Sequence, residues 1–376
     1  MTSLLDNYVP FHRTDDRKKW LSQYEEGFTG GERDTFTGYL KHELIKFSIH
    51  DCDRSLPCLF DGLKQSQRKI LYACFLKNLT TKTMKVAQLA GFVAENTNYH
   101  HGEHCLFETI TKMAQDFPGS NNIPYLFKDG QFGSRIIGGK DAASARYIFT
   151  RLNKIVRHIF RKEDDVILKR VVDDGDIVEP EFYMPIIPMI LVNGCSGIGT
   201  GWSCNIPQYN PKDIIKLIRN WIHNKKDTTD ITPYYRGYKG KIEKADDSKF
   251  RSYGIIKRLS KNKVEVVELP INMWTDKFKD YLEDLLEKKF IKAIKNYSTP
   301  DKVHFVIHEN DQLQCTEDTL RIKTYILQSN MVLFTENKKI HKFASIHDIV
   351  DTFCKMRQQL YALRKNHQLN DLKKHK

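Results

Sequence analysis

The chain has 376 residues, 40% of them hydrophobic and 11% aromatic, enough apolar material for packed cores and too much for a disordered chain. Its 60 Lys and Arg against 47 Asp and Glu leave a formal charge of +13, which fits either a polyanion partner such as nucleic acid or a solvated basic surface. Eight cysteines without a CxxC pair argue against a disulfide or zinc framework, no apolar run is long enough to span a bilayer, and the start MTSLLDNYVPFHRTDD lacks the basic flank and apolar core of a signal peptide, so a soluble protein of a reducing, intracellular compartment is expected.

Residues 1–34 are polar and charged, with GFTGGERD at 27–34 reading as a flexible link. The apolar positions Tyr39, Leu40, Leu44, Ile45, Phe47 and Ile49 suit a helix over 35–49. Asp61 stands before GLKQSQRKILYACFL, a basic amphipathic helix that it is placed to cap. Helices follow over 85–95 and, after Tyr99-His100-His101-Gly102, over 103–115. The turn cluster PGSNN at 118–122 leads into NIPYLFKDGQFGSR, which predicts a hairpin around Asp129-Gly130. Three helices and a basic hairpin make a winged-helix pattern, a variant of the helix-turn-helix. A helix is expected over 147–171, and a buried strand and turn over 177–201.

Residues 211–224 read as an amphipathic helix. Residues 230–340 mix the strands KVEVVEL, KVHFVIH and NMVLF with a helix over 275–290 capped by Thr275, a separate α/β unit. The last segment opens on a capping box, Ser345 with Asp348. Ile349, Phe353, Met356, Leu360 and Leu363 then put one apolar seam on a long helix, as in a coiled-coil arm.

The stretch GQFGSRIIGGKDAASARYIFTRL, 130–152, carries the most chemistry. Small residues at 142–145 let another backbone come close, and they lead into Arg146-Tyr147. A phenol has an ordinary pKa near ~10, so cations beside it are needed before it can attack phosphorus as phenolate. By residue type alone Tyr147 is still one tyrosine among 17. The adjacent histidines suit a structural turn; a shared metal is disfavoured, because neighbouring side chains of an extended segment point apart. Gly197-x-Gly-x-Gly201 lacks the full dinucleotide pattern and has no P-loop lysine, so it reads as a close-packed turn. Tyr234-Tyr-Arg-Gly-Tyr-Lys-Gly240 suits either flanking DNA or surface packing.

Arg54-Ser-Leu-Pro, Asp61-Gly-Leu-Lys-Gln-Ser-Gln-Arg-Lys, Tyr99-His-His-Gly-Glu, Gly130-Gln-Phe-Gly-Ser, Gly139-Lys-Asp-Ala-Ala-Ser-Ala-Arg-Tyr-Ile-Phe-Thr and Gly197-Ile-Gly-Thr-Gly-Trp stand in order along the chain. Together they resemble type IIA DNA topoisomerases, the eukaryotic form and its large-DNA-virus relatives above all, over roughly residues 36–365.

The resemblance implies an α+β, multidomain fold. Its expected parts are a tail leaving a Toprim domain (1–35), a winged-helix DNA-binding domain with the catalytic tyrosine (36–186), an α/β tower domain (187–344), and the start of a coiled-coil arm toward a dimer gate (345–376). It implies that Tyr147 attacks DNA and becomes joined to its 5′ end, that Arg146 steadies the scissile phosphate, and that His101 lies near that phosphate with His100 positioning the turn. It implies further that Arg54, Lys64, Arg68 and Lys140 hold backbone phosphates, and that Ile206 is a wedge that kinks the duplex.

The family's Mg2+ ligands are expected on a Toprim domain and its ATP site on an ATPase domain. Asp51-Cys-Asp53 and Asp173-Asp-Gly-Asp176 lack that context, so no metal ligands are assigned here. The expected partners are double-stranded DNA, a second copy in a homodimer, and Toprim and ATPase segments of the same or another polypeptide, with no membrane. The tail-like residues 1–34 favour an excised breakage–reunion region over a split subunit. Localisation is expected to be nuclear for a cellular protein, and host cytoplasm or nucleus for a viral one. A non-catalytic winged-helix protein that binds and bends DNA is the alternative; it gives no reason for Arg146-Tyr147.

Overall fold

The computed structural model describes residues 14–22, 24, 35–225, 230–310 and 314–374. The link expected over 27–34 lies outside the described residues. After α1 (Thr14–Ser22), a short helix α2 (Phe36–Tyr39), a π-helical turn (Leu40–Leu44) and α3 (Ile45–Ser55) run on from one another, so the helix expected to end near 49 continues to Ser55. It stops where Leu56 turns extended (φ −95°, ψ 142°), as the residue before a proline, here Pro57, must.

The next elements form one unit of three helices and three short strands: α4 (Gln65–Leu76), β1 (Met84–Lys85), α5 (Val86–Thr97), α6 (Glu103–Ala114), β2 (Leu126–Asp129) and β3 (Phe149–Leu152). Leu71, Leu89, Val93, Leu106 and Ile110, at helical spacing on the three helices, bury their side chains in one core with Phe132 and Leu152. The three strands are antiparallel in the order β1-β3-β2.

Several local expectations are overturned here. Asp61 does not cap α4. Lys64 takes the N-cap position, and its N–H donates to Gln67 Oε1 at 2.9 Å. The start is delayed because Gly62, at φ +70°, lies so close to Ile190 that a Cβ would stand 2.6 Å from its nitrogen. Asp129-Gly130 does not turn a tight hairpin. Leu126–Asp129 pairs with Phe149–Leu152, so a loop spanning 130–148 separates the strands. Nor is 147–171 a helix. Phe149–Leu152 alternates half-buried and buried positions, the period of a strand. A single helical turn, α7 (Val156–Ile159), follows, and β4 (Arg170–Asp173) pairs antiparallel with β5 (Asp176–Pro180).

The apolar run at 185–192, expected as a strand, ends in the short buried helix α8 (Met189–Asn193). The hairpin β6 (Cys195–Gly199) and β7 (Trp202–Ile206) and the amphipathic α9 (Pro211–Ile222) follow. An α/β unit comes next, with β8 (Ile242–Asp246), β9 (Lys249–Tyr253), β10 (Ile255–Ser260), β11 (Lys263–Glu268), α10 (Thr275–Glu287), β12 (Ile291–Asn296), β13 (Phe305–Glu309) and β14 (Lys323–Leu327). Its antiparallel sheet β10-β11-β13-β12 shares a core with Phe278, Leu282 and Leu285 of α10, while β14-β9-β8 form a second sheet. Thr275 is the first residue of α10 and makes no side-chain cap.

Met331–Phe334 (β15), expected with this unit, instead pairs with β16 (Ile340–Phe343) and packs into another core. That core gathers Leu56, Leu59 and Phe60 with Ile190, Leu191, Ile214, Leu333 and the buried face of α11 (Ile346–Lys374). The Ser345 capping box forms, with Ser345 N donating to Asp348 Oδ2 at 3.0 Å and Asp348 N to Ser345 Oγ at 3.1 Å. The seam of α11 is buried at Ile349, Phe353 and Leu360, half-buried at Met356 and 54% exposed at Leu363. Asp164, buried, accepts from Arg357 and Arg364 at 2.7 and 3.1 Å, which ties α11 to the segment after α7. Among the described residues no helix is long and apolar enough to cross a membrane.

Candidate active site

The 130–148 loop is closed on itself before it reaches Tyr147. Gly133 (φ +91°) lies so near Gly139 (φ +82°) that a Cβ on the first would run into the carbonyl of the second. Gln115 Nε2 donates to Phe132 O (2.8 Å) and Gly139 O (3.0 Å), and Asp141 accepts from Ser134 N (2.8 Å) and Oγ (2.6 Å). Beyond that closure the chain hangs on the start of α5, with Ala87 N donating to Ala145 O at 3.1 Å and Val86 N to Ile148 O at 3.0 Å. The small side chains of Ala143 and Ala145 allow this close approach by packing half-buried against the first core.

Tyr147 is thus fixed by hydrogen bonds to the residues on either side of it, yet its own side chain is 70% exposed. The Arg146 guanidinium stands 5.7 Å from its ring and makes no ion pair among the described residues. An exposed phenol on a rigid loop beside an unneutralised cation is suited to meet an anionic substrate.

A second group forms at the C-terminal end of α3. Helix α5 ends at Asn98 in the left-handed region (φ 47°), and the two histidines that follow make their contacts with different groups. His101 packs 5.5 Å from the His50 ring and edge-on to Tyr99 at 5.4 Å. Burial first, then Arg54 and the other basic groups around it, hold its pKa below the ordinary 6.5, so the ring is neutral at pH 7. His100 turns the other way, its Nε2 3.6 Å from Asp173 and 3.7 Å from Asp174. Arg54, on the last turn of α3, and Lys140, in the tyrosine loop, are exposed and without ion pairs among the described residues. Tyr147 and His101 share no hydrogen bond or ring contact among the described residues.

Three other expected DNA ligands are placed differently. Arg68 is 9% exposed, and its guanidinium is spent on buried Asp61 (2.7 and 3.2 Å) and Leu63 O (3.0 Å). Asp61 also accepts from Leu63 N and Tyr183 N, so this ion pair joins α4 to residues 61–63 and 183. Lys64 is half-buried and donates to Ser196 O at 2.7 Å. Ile206 is 3% exposed within the second core and has no free side chain to push between bases. On the strand paired with it, Ile198 is 85% exposed, the most exposed large apolar side chain among the described residues. The signal was in the sequence: Gly197 and Gly199 flank it, and in a strand the residue between two that face the protein faces outward.

Among the described residues one group brings metal-type ligand atoms together, His100, Asp173 and Asp174, within 4.8 Å of one another. A nitrogen with two carboxylates does not match the oxygen octahedron Mg2+ requires, and the Lys69 ammonium already lies 3.8 Å from Asp173. Asp51 and Asp53 are engaged elsewhere, with Thr200 and Lys338. The turn at 197–201 holds no nucleotide either, because Gly197 and Gly199 pack on the α3 backbone.

Fold and sequence comparisons agree on the class. The structure superposes on the Plasmodium falciparum topoisomerase II DNA-binding, cleavage and re-ligation domain with a TM-score of 0.91 and 42% identity, over 97% of this chain and 51% of that one. The DNA topoisomerase 2 of Invertebrate iridescent virus 6 is 46% identical over 377 residues, which is 96% of this chain and 33% of that protein. The DNA topoisomerase 2 of Saccharomyces cerevisiae is 43% identical over 370 residues, 94% of this chain and 26% of that protein. The family of A-type subunits of DNA gyrase/topoisomerase IV matches residues 54–376. This chain belongs to that family. It spans a third or less of the length of these two curated relatives.

Proposed function

We propose that this chain is the DNA breakage-and-rejoining region of a type II DNA topoisomerase, with Tyr147 as the nucleophile. The Tyr147 oxygen forms a bond to a backbone phosphorus, the P–O3′ bond breaks, and the phenolic proton ends on the departing 3′ oxygen. The phosphodiester energy is kept in the 5′-phosphotyrosyl link, so the reverse attack reseals the strand without added energy. The observation that carries this reading is the 70% exposure of Tyr147, the highest of any tyrosine among the described residues, beside the Arg146 guanidinium on a loop anchored at both flanks.

In this reading Arg146 binds the scissile phosphate and the neutral His101 donates one hydrogen bond to it. Arg54 and Lys140 hold neighbouring phosphates, while His100, its Nε2 3.6 Å from Asp173, positions the turn. The wedge role passes from Ile206 to Ile198, and Arg68 and Lys64 are structural. Two staggered cuts need two nucleophiles, hence a homodimer on duplex DNA. Mg2+ supplies charge neutralisation at the phosphate when bound, with ligands from a Toprim segment, and ATP binds an ATPase segment; the residues described here fit neither group.

The test mixes the chain with a Toprim segment from a type II topoisomerase, Mg2+ and supercoiled plasmid, then denatures with SDS. Protein-linked linear DNA that disappears with Tyr147→Phe is the expected result. Shifted but unbroken DNA, or cleavage that survives Tyr147→Phe, would sink the proposal.

A further inference from the structure

The hairpin that presents Ile198 lies directly on the helix that presents Arg54. A Cβ on Gly197 would run into the Ser55 carbonyl oxygen, and one on Gly199 would stand 3.1 Å from Cys52 Cα. With both neighbours facing α3, the Ile198 side chain must face away from it. Close packing of glycine on backbone limits separation more than sliding along the helix axis, which Lys64, donating to Ser196 O at 2.7 Å, opposes from the start of β6. Two contacts at the turn oppose sliding. Cys52 Sγ donates weakly to Thr200 O at 3.3 Å, and Thr200 Oγ1 donates to Asp51 Oδ2 at 3.0 Å. The second is charge-assisted, directional and encoded by two side chains, so it is the stronger restraint. On the opposite edge Asn330 holds β7, donating to Ser203 O and Oγ at 2.9 and 2.6 Å.

The residues around Asp51 on α3 are those of the phosphate group: His50, in ring contact with His101, precedes it, and Arg54 follows one turn later. The distance between the apolar wedge and the phosphate ligands is therefore set by how the hairpin is registered on α3.

We propose that Asp51, through Thr200, is a positioning residue that locks the Ile198 hairpin to α3, so that the wedge keeps its distance from Arg54 and His101 while the duplex kinks. The inference rests on reading Ile198 as the wedge. It adds that kinking depends on a hydrogen bond remote from the bases, because a wedge free to slide yields when the stacked duplex resists it.

The test uses this chain and a short duplex carrying a donor and an acceptor dye at its two ends. Energy transfer at saturating protein gives the ratio of bent to straight complexes, and anisotropy gives affinity. Thr200→Val, which keeps the shape and removes the hydroxyl, is expected to lower that ratio about tenfold, with affinity within about threefold of wild type and the melting temperature unchanged. Thr200→Ser is expected to restore wild-type bending. Ile198→Ala, run alongside, is expected to abolish bending. Wild-type bending in Thr200→Val overturns the positioning role, and so does a Thr200→Ser variant as defective as Thr200→Val, which would make the lost group the methyl and not the hydroxyl. Wild-type bending in Ile198→Ala overturns the wedge reading itself.

Discussion

His101 and Arg68 are both basic residues in motifs shared with the family, yet their surroundings give them opposite tasks. His101 sits half-buried in a field of positive charge, which keeps its proton off at neutral pH. Burial is the first cause and Arg54 the second. Arg54→Ala should therefore move the His101 midpoint upward, toward 6.5. An NMR titration of the free chain in which the midpoint stays put would show that Arg54 is not in its field. The same shift carries a stability consequence: the folded state binds the proton less readily than the unfolded chain, so stability present above pH 6.5 declines as pH falls from there through the folded-state midpoint. Arg68, in contrast, is the partner of a fully buried carboxylate. Its removal leaves Asp61 charged and unpaired, which costs about 3–5 kcal/mol. Arg68→Ala should lower the urea midpoint accordingly. A variant of wild-type stability that only loses DNA affinity would return Arg68 to the phosphate contacts.

Elements whose residues meet within one turn of helix were legible in the sequence. Helices α4, α5, α6, α9 and the Ser345 capping box follow from apolar spacing and a four-residue cap. Elements defined by partners far along the chain were not. Asp129-Gly130 has the composition of a two-residue turn, but Phe149–Leu152 offers β2 a partner that also buries Thr150 and Leu152, and burial outweighs local turn preference. That Ile198 and not Ile206 has the exposed side chain was hidden for a similar reason. Which face of a hairpin is buried depends on α3, and that helix is remote in sequence. The long loop that results has its own test. Gly133 is at positive φ with the Gly139 carbonyl against it, so Gly133→Ala adds strain of about 1–3 kcal/mol together with a backbone clash. Helical circular dichroism should be retained while Tyr147-dependent cleavage falls. Unchanged cleavage would mean that the loop closure does not position the tyrosine.

For the molecule as a whole the net charge of +13 matters less than where its cations are free. Many of the lysines and arginines on the α/β unit and on α11 are already paired with carboxylates, including Lys244, Arg258, Lys288 and Arg357. Arg54, at the end of α3, and Lys140 and Arg146, both in the tyrosine loop, make no ion pair among the described residues. Each unpaired cation that neutralises a DNA phosphate displaces condensed counterion, so the logarithm of affinity falls with the logarithm of salt by roughly 0.9 per contact. Replacing Arg54 or Lys140 with Ala should make that slope shallower by about 1 each, and replacing paired Lys288 should leave it unchanged. Ile198→Ala belongs to the other term. It should weaken binding by the same factor at every salt concentration, because a wedge between bases releases no counterion. Parallel lines for Ile198→Ala beside shallower lines for Arg54→Ala would separate the two ways this surface holds DNA. A slope that Arg54→Ala and Lys140→Ala both leave intact would move the phosphate track to another face of the protein.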